Sequence, residues 1–277
     1  MVNGSEVFEV LMTNAVKLPG VKVDRKEFLD QSFSKYVSAT QLAEVVEKGP
    51  LEANVPLSVI KKVAKRNITN QTMKSSSASF AAGLPGGIGI AATIPADTAQ
   101  FFGFALRLAQ EIGYLYGYDD FWEDGELNVE RVNGELILFL GVMFGVGGAT
   151  ATIKALSAQL SKEALKKIPN KALTKTVYYP IIKKMSAMIG VKMTKDTFAK
   201  GISKMIPLAG GVISGGITYS SMTKMGNRLM HALEEGVNMT EAEFIESVEA
   251  VKRENLEIIE AEFVEIDEGS RNDGEVI

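Results

Sequence analysis

The chain has no cysteine, one histidine, one tryptophan and eight prolines among 277 residues. Without thiols, disulfide scaffolds, cysteine nucleophiles and cysteine-ligated zinc or iron–sulfur sites are excluded. The lone His231 excludes any site that draws two histidines from one chain. A basic, apolar leader is missing too: the first ten residues, Met-Val-Asn-Gly-Ser-Glu-Val-Phe-Glu-Val, are acidic and amphipathic, so a cytoplasmic location is expected. No Gly-x-Ser-x-Gly elbow occurs, which leaves serine hydrolysis without local support. Nor is there an alternating apolar–polar run long enough for a strand.

What is present is apolar material and unevenly placed charge. With 46% hydrophobic and 23% charged residues, the chain can build one large domain, or a domain with appendages, and is not disordered over most of its length. The net charge of −4 conceals a strong polarity. From Lys154 to Lys204 there are twelve lysines against Glu163 and Asp196, and from Glu234 to Ile277 fifteen acidic residues against Lys252, Arg253 and Arg271. Tyr178, Tyr179 and Phe198 are the only aromatics among the lysines, so nucleic acid is not expected as a partner. An anionic membrane surface fits better, each nearby lysine adding about 1 kcal/mol. Pairing with the acidic tail is the competing reading, and such pairing weakens with salt.

Three stretches are nearly free of charge: Ser75–Leu106, whose only charge is Asp97, then Leu136–Ile153 and Met205–Thr223. Each approaches the roughly 20 residues that cross a bilayer. They are rich in Gly, Ala, Ser and Thr and are broken by Pro85, Pro95 and Pro207. Gly141-Val-Met-Phe-Gly145 and Gly211-Val-Ile-Ser-Gly215 have the small-xxx-small spacing that lets helices approach closely. Buried core helices and a reversibly inserting hairpin both satisfy this pattern.

Helical periodicity dominates, and the expected fold is all-α: a helical bundle with glycine-rich, closely packed central apolar helices. Three parts are expected: an N-terminal helical segment (1–75), a helical core (76–236) and an acidic C-terminal helix and tail (237–277). A short amphipathic helix over Ser5–Val16 comes first. Asp24 caps a helix from Arg25 to Val37, and Ser38-Ala-Thr-Gln41 has capping-box spacing for a helix to about Lys48. Pro56 starts the next helix, and the polar run Asn67–Ser79 reads as a linker. Helices over 94–116 and 136–159, lysine-rich helices between 161 and 204, and an apolar helix pair between 206 and 235 follow. Thr240-Glu-Ala-Glu243 opens the last helix. Gly103-Phe-Ala-Leu-Arg-Leu-Ala-Gln-Glu-Ile-Gly113 echoes Gly226-Asn-Arg-Leu-Met-His-Ala-Leu-Glu-Glu-Gly236. Chance similarity between small-residue helices accounts for the echo equally well.

On a wheel of 100° per residue, Gln100, Arg107, Gln110, Glu111 and Tyr114 share one stripe of the 94–116 helix. Arg107 and Glu111 stand at i, i+4 and can pair. Asp97, two positions after Pro95, is stabilised by the free N–H groups of a first helical turn; the alternative is a pocket carboxylate facing Arg107. A ligand pocket lined by Asp97, Gln100, Arg107, Glu111 and Tyr114, in a hydrolase or a small-ligand-binding protein, competes with a simple solvated helix face. The Gly83–Gly89 turn lacks the Gly-Lys-Ser/Thr of a phosphate loop and the strand of a dinucleotide fold. The acidic loop Asp119–Asp124 has Trp122 where a calcium loop requires an oxygen ligand. No metal or cofactor is expected. His231, among Lys224, Arg228 and Glu235, reads as a surface residue.

Two segments carry a family resemblance. Gly83-Leu-Pro-Gly-Gly-Ile-Gly-Ile-Ala-Ala-Thr-Ile-Pro-Ala-Asp97, with Ala99-Gln100, the helix to Arg107 and Tyr114-Leu-Tyr-Gly-Tyr118, resembles the EcsC protein family. Ile206-Pro-Leu-Ala-Gly-Gly-Val-Ile-Ser-Gly-Gly-Ile-Thr-Tyr219, running on to Gly226, resembles its second glycine-rich signature. Together they span residues about 60–236. The family is named for a protein encoded beside the subunits of an ABC transporter. The resemblance therefore implies an all-α, bacterial, cytoplasmic protein at the membrane face. Together with the lysine pattern it leads to the expectation of a non-enzymatic protein, peripheral at the inner face of the cell membrane, with an anionic lipid surface or a membrane transporter subunit as partner. It supplies no catalytic residues.

Overall fold

The computed structural model describes residues 15, 18–76, 96–123, 126–127, 132–146, 148–161, 215–250 and 253; at 75–76, 96–100, 123, 126–127, 132–133, 161 and 215–219 only the backbone is described. Capping chemistry sets the first helices. Asp24 adopts extended backbone and accepts from the Glu27 N–H at 2.9 Å, starting α1, Arg25–Phe33. Ser38 does the same for the Gln41 N–H at 3.3 Å, starting α2, Ala39–Lys48. Each cap satisfies one backbone donor that the first helical turn leaves open. Gly49, at φ +91°, ends α2 in a backbone region that side chains rarely adopt.

After Pro56 comes α3, Leu57–Ser76, and it runs through the segment that composition reads as a linker. Ile68, Gln71 and Thr72 are buried along it. The polar residues there face partners on another helix as well as water, so polarity misleads about the backbone. The next helix, α4, covers Ala96–Leu115 and is followed by a loop and a two-residue antiparallel hairpin, β1 (Trp122–Glu123) with β2 (Glu126–Leu127), pairing Trp122 with Leu127. A π-helical turn, Val132–Leu136, leads into α5, Ile137–Phe144.

The sequence suggests one helix from Leu136 to Gln159, but the chain breaks it. Gly145, at φ +71°, closes α5 in the left-handed region, and α6 begins afresh at Ala149 and runs to Ser161. Gly145 of the Gly141/Gly145 pair thus ends a helix instead of lining a helix–helix seam. Residues Ile137–Met143 are buried all round, as a helix without a polar face must be. The long α7, Gly215–Asn238, packs on α3, α4, α5 and α6. A last helix, α8, is described over 241–250. Its box closes reciprocally: the Thr240 N–H donates to Glu243 Oε2 at 2.7 Å, and the Glu243 N–H to Thr240 Oγ1 at 3.3 Å.

The fold of the described residues is all-α apart from that hairpin. One apolar cluster joins Val21, Leu29 and Phe33 to Phe102, Ile112, Phe139, Leu229 and Leu233. A second, of Ala155, Ala158, Met239, Phe244 and Val248, seats α8 on α6. Buried Arg25 ties α1 to its surroundings, donating to the Tyr118 carbonyl at 3.1 Å and the Val46 carbonyl at 3.2 Å. Among the described residues no helix is long and apolar enough to cross a membrane. The lysine-rich segment beyond Ser161, the Gly83–Gly89 turn and the first helix (save Ala15) lie outside the described residues, as does the tail beyond residue 250 except Arg253.

Candidate functional site

Helix α4 positions most of the residues that the wheel groups together, and the structure turns that stripe inward. Gln110, Glu111 and Tyr114 are fully buried and Arg107 is partly so, which overturns the solvated-face reading. The stripe also divides. Gln110 donates to the Val21 carbonyl at 2.9 Å and accepts from the Trp122 indole N–H at 2.8 Å, binding α4 to the strands of chain around it. The Tyr114 hydroxyl donates to Asp120 Oδ1 at 2.9 Å and accepts from the Phe121 N–H at 3.3 Å. Burial, reinforced by the Asp120 charge, pushes the Tyr114 phenol far above its usual range. That hydroxyl therefore braces the loop after α4 and does not open into the pocket described next. Only the Tyr114 ring approaches it, tilted against Phe28 with centroids 6.4 Å apart.

Arg107 and Glu111 point toward α3 and make the centre of the site. The Glu111 side chain is 0% exposed. Its Oε1 accepts from Arg107 Nε at 2.8 Å and from Gln71 Nε2 at 2.6 Å, and its Oε2 accepts from Asn67 Nδ2 at 3.0 Å. A lone buried carboxylate costs several kcal/mol unless it is paired and hydrogen-bonded; here one guanidinium and two amides share the load. Burial still prevails, and holds the Glu111 carboxyl above the usual carboxylate range against the pull of Arg107, Asn67 and Gln71. Arg107 is fixed from the other side as well, its Nη1 donating to the Gly20 carbonyl at 2.6 Å.

Beside this cluster lies a cavity of about 230 Å³ between α1, α3 and α4. Its walls include Asn67, Gln71, Arg107 and Glu111, with Phe28 and Val63 as apolar contributions. Its rim carries Lys35, Arg66, Asn70 and Lys74. Asp97 and Gln100 belong to the first turns of α4, where the backbone alone is described; Asp97, the second residue of the helix, does occupy its first turn. Composition conceals Asn67 and Gln71, which fall in the supposed linker. Their signal is spacing: residues 63, 67, 70, 71 and 74 recur at helical intervals and share one face.

A second, wider concavity of about 760 Å³ contains Gly145, Gly148, Lys224, Arg228 and exposed His231. Two of these side chains already have structural contacts. Arg228 donates to the Met143 carbonyl at 3.0 Å, at the negative end of α5, and His231 Nδ1 lies 3.7 Å from Glu234 Oε2. No group of three or more acidic or histidine side chains among the described residues can hold a metal ion. The chain matches no family profile, no curated protein and no solved structure.

Proposed function

We propose that this all-α chain is a small-ligand-binding protein whose site is the cavity between α1, α3 and α4, with Arg107 as the principal contact and Glu111 as the residue that positions it. One observation carries the reading: a fully buried carboxylate organises three donor side chains at the wall of an open cavity rather than inside a sealed core. A buried ion pair is weak evidence for stability, since apolar side chains of equal size pack as well or better. An acid whose burial raises its pKa, beside a specific charge partner in a cleft, is a mark of functional sites. The cavity, at about 230 Å³, lies below the roughly 300–1,000 Å³ usual for drug-sized ligands, which favours a compact polar molecule.

Side-chain NMR tests this directly. The Arg107 Nε–H and the Asn67 and Gln71 amide resonances are followed while a set of small acids, amines, sugars and amides is titrated in. Saturable shifts confined to these groups, and lost in Arg107→Gln, are the expected result. If no compound moves them, the cluster is only a brace between helices and the reading fails.

A further inference from the structure

Resting on that assignment of the cavity, we infer that its ligand is an anion carrying a phosphate group, held by Arg107 from α4, Arg66 and Lys74 from α3, and Lys35 from the chain just after α1. Four basic side chains surround the cavity and one acid, Glu111, lies among its lining residues. In a chain of net charge −4, such a concentration of cations over so small an opening defines a local field of positive sign. That field draws in and retains anions.

The acid offsets only one of these cations, its own partner Arg107 at 2.8 Å. Both Glu111 oxygens face inward donors, Arg107, Gln71 and Asn67, and its side chain has no exposed surface. Its role is to aim the guanidinium. With Nε on Glu111 and Nη1 on the Gly20 carbonyl, Arg107 is held at two points before any ligand arrives. A planar guanidinium fixed in this way suits the oxygens of a phosphate or carboxylate, and less ordering entropy is lost when they bind. With Glu111 offsetting one of the four, the remaining positive charge still exceeds the need of one carboxylate and suits the double charge and three oxygens of a phosphate monoester. The Asn70 amide lines the same cavity, and Phe28 contributes an apolar wall.

The same group occurs on soluble phosphate esters and on phospholipid headgroups, and the experiment separates them. Full-length protein is titrated with inorganic phosphate, with glycerol phosphate, with neutral glycerol, and with phosphatidylcholine vesicles with and without phosphatidic acid. Arg107, Asn67 and Gln71 resonances report on the soluble arms and co-sedimentation on the vesicles. Phosphate and its ester should shift these resonances saturably while glycerol does not, and added salt should weaken the effect. Phosphatidic acid engagement without response to the soluble esters also supports the phosphate assignment and makes a lipid its source. Because Arg107 also braces the fold, the decisive variant is Lys35→Gln/Arg66→Gln, both exposed, which should weaken binding by about threefold to tenfold. A Lys48→Gln control should leave it unchanged. Equal weakening by the control overturns the inference. So does a cavity that takes up neutral compounds but no phosphate, although the ligand site itself then survives. Silence from every compound sinks both.

Discussion

Helices α4 and α7 repeat one frame. Gly103, Leu106, Ala109, Glu111 and Gly113 of the first stand in the order and spacing of Gly226, Leu229, Ala232, Glu234 and Gly236 of the second. The glycines act alike, each meeting a neighbour: Gly103 meets Val21, Gly113 meets Phe139, Gly226 meets Ile68 and Leu108, and Gly236 meets the Lys154 backbone and Ser157. The glutamates diverge, although both turn toward α3. Glu111 has no exposed surface and lies against the amides Asn67 and Gln71 and its own Arg107, whereas Glu234 is 16% exposed and pairs with Lys61 at 2.8 Å. Met230 stands where α4 has Arg107, and Leu233 where it has Gln110. A β-carbon at any of these four glycines would press on a neighbour. The residues between the glycines decide whether the seam stays a structural contact or becomes a polar cavity.

The sharpest way to break this comparison is at the glycines. A β-carbon on Gly236 would stand 2.5 Å from the Lys154 carbonyl oxygen and 2.9 Å from its Cα, so relief requires two helix backbones to separate. On Gly113 it would meet the edge of the Phe139 ring at 2.6 Å, and a ring can tilt. Gly236→Ala should lose about 3 kcal/mol even after a helix-propensity gain of about 1, and Gly113→Ala about 1–2. In thermal melts the first corresponds to a fall of roughly 6–12 °C. Equal losses would show that the two seams are not set by backbone and side chain respectively.

The glutamates come next. Removing the cation in Arg107→Met should cost about 2 kcal/mol at neutral pH, less than for a fully buried pair because Arg107 keeps some solvent contact. The folded-state value of Glu111 lies above its unfolded one. Its contribution is therefore fully present below the ordinary carboxylate pKa and is lost as pH rises through the folded-state value. Without Arg107 that value climbs further. Urea melts followed through Trp122, the chain's single tryptophan, should show the Arg107→Met deficit growing as pH rises and shrinking as pH falls. A deficit that ignores pH would mean that Arg107 matters only through packing.

Much of this architecture was legible where the cause is local. Asp24, Ser38 and Thr240 cap as their spacing predicts, because a side-chain oxygen and a backbone donor three residues on suffice. The i, i+4 pairing of Arg107 with Glu111 was legible for the same reason. Contacts across the chain were not. Asn67 and Gln71 look like linker residues until Glu111, more than forty positions from Asn67, supplies their acceptor. Tyr114 leaves the site because Asp120, past the end of the helix, claims its hydroxyl. A helical wheel shows which residues share a face but not whether water or another helix's amides lie opposite, so the burial of the α4 stripe had no signature. The break at Gly145 did have a signature, the glycine cluster Gly145-Val-Gly-Gly148, but the apolar run on either side of it outweighed that signal.

Two smaller effects sharpen the contrast around α7. The Tyr118 hydroxyl bonds Ser157 Oγ at 3.1 Å, beside the Gly236 contact, whereas the buried Tyr116 hydroxyl has no hydrogen-bond partner among the described residues. Tyr118→Phe should cost about 1 kcal/mol, and Tyr116→Phe should be neutral or slightly stabilising, since only the first breaks a hydrogen bond. The smallest expected loss belongs to Lys61, which is substantially exposed, with a side-chain exposure of 36%. Its pair with Glu234 is largely within reach of water, so Lys61→Ala should cost about 0.5 kcal/mol. That cost should vanish near 1 M salt, where screening acts within about 3 Å. The Arg107→Met deficit should survive the same salt, because no water or ion reaches Glu111. Denaturant melts of both variants at low and high salt measure the two together. If Lys61→Ala proves as costly as Arg107→Met, or as resistant to salt, the two glutamates are energetically equivalent. Burial would then not be what separates the cavity in α4 from the plain seam in α7.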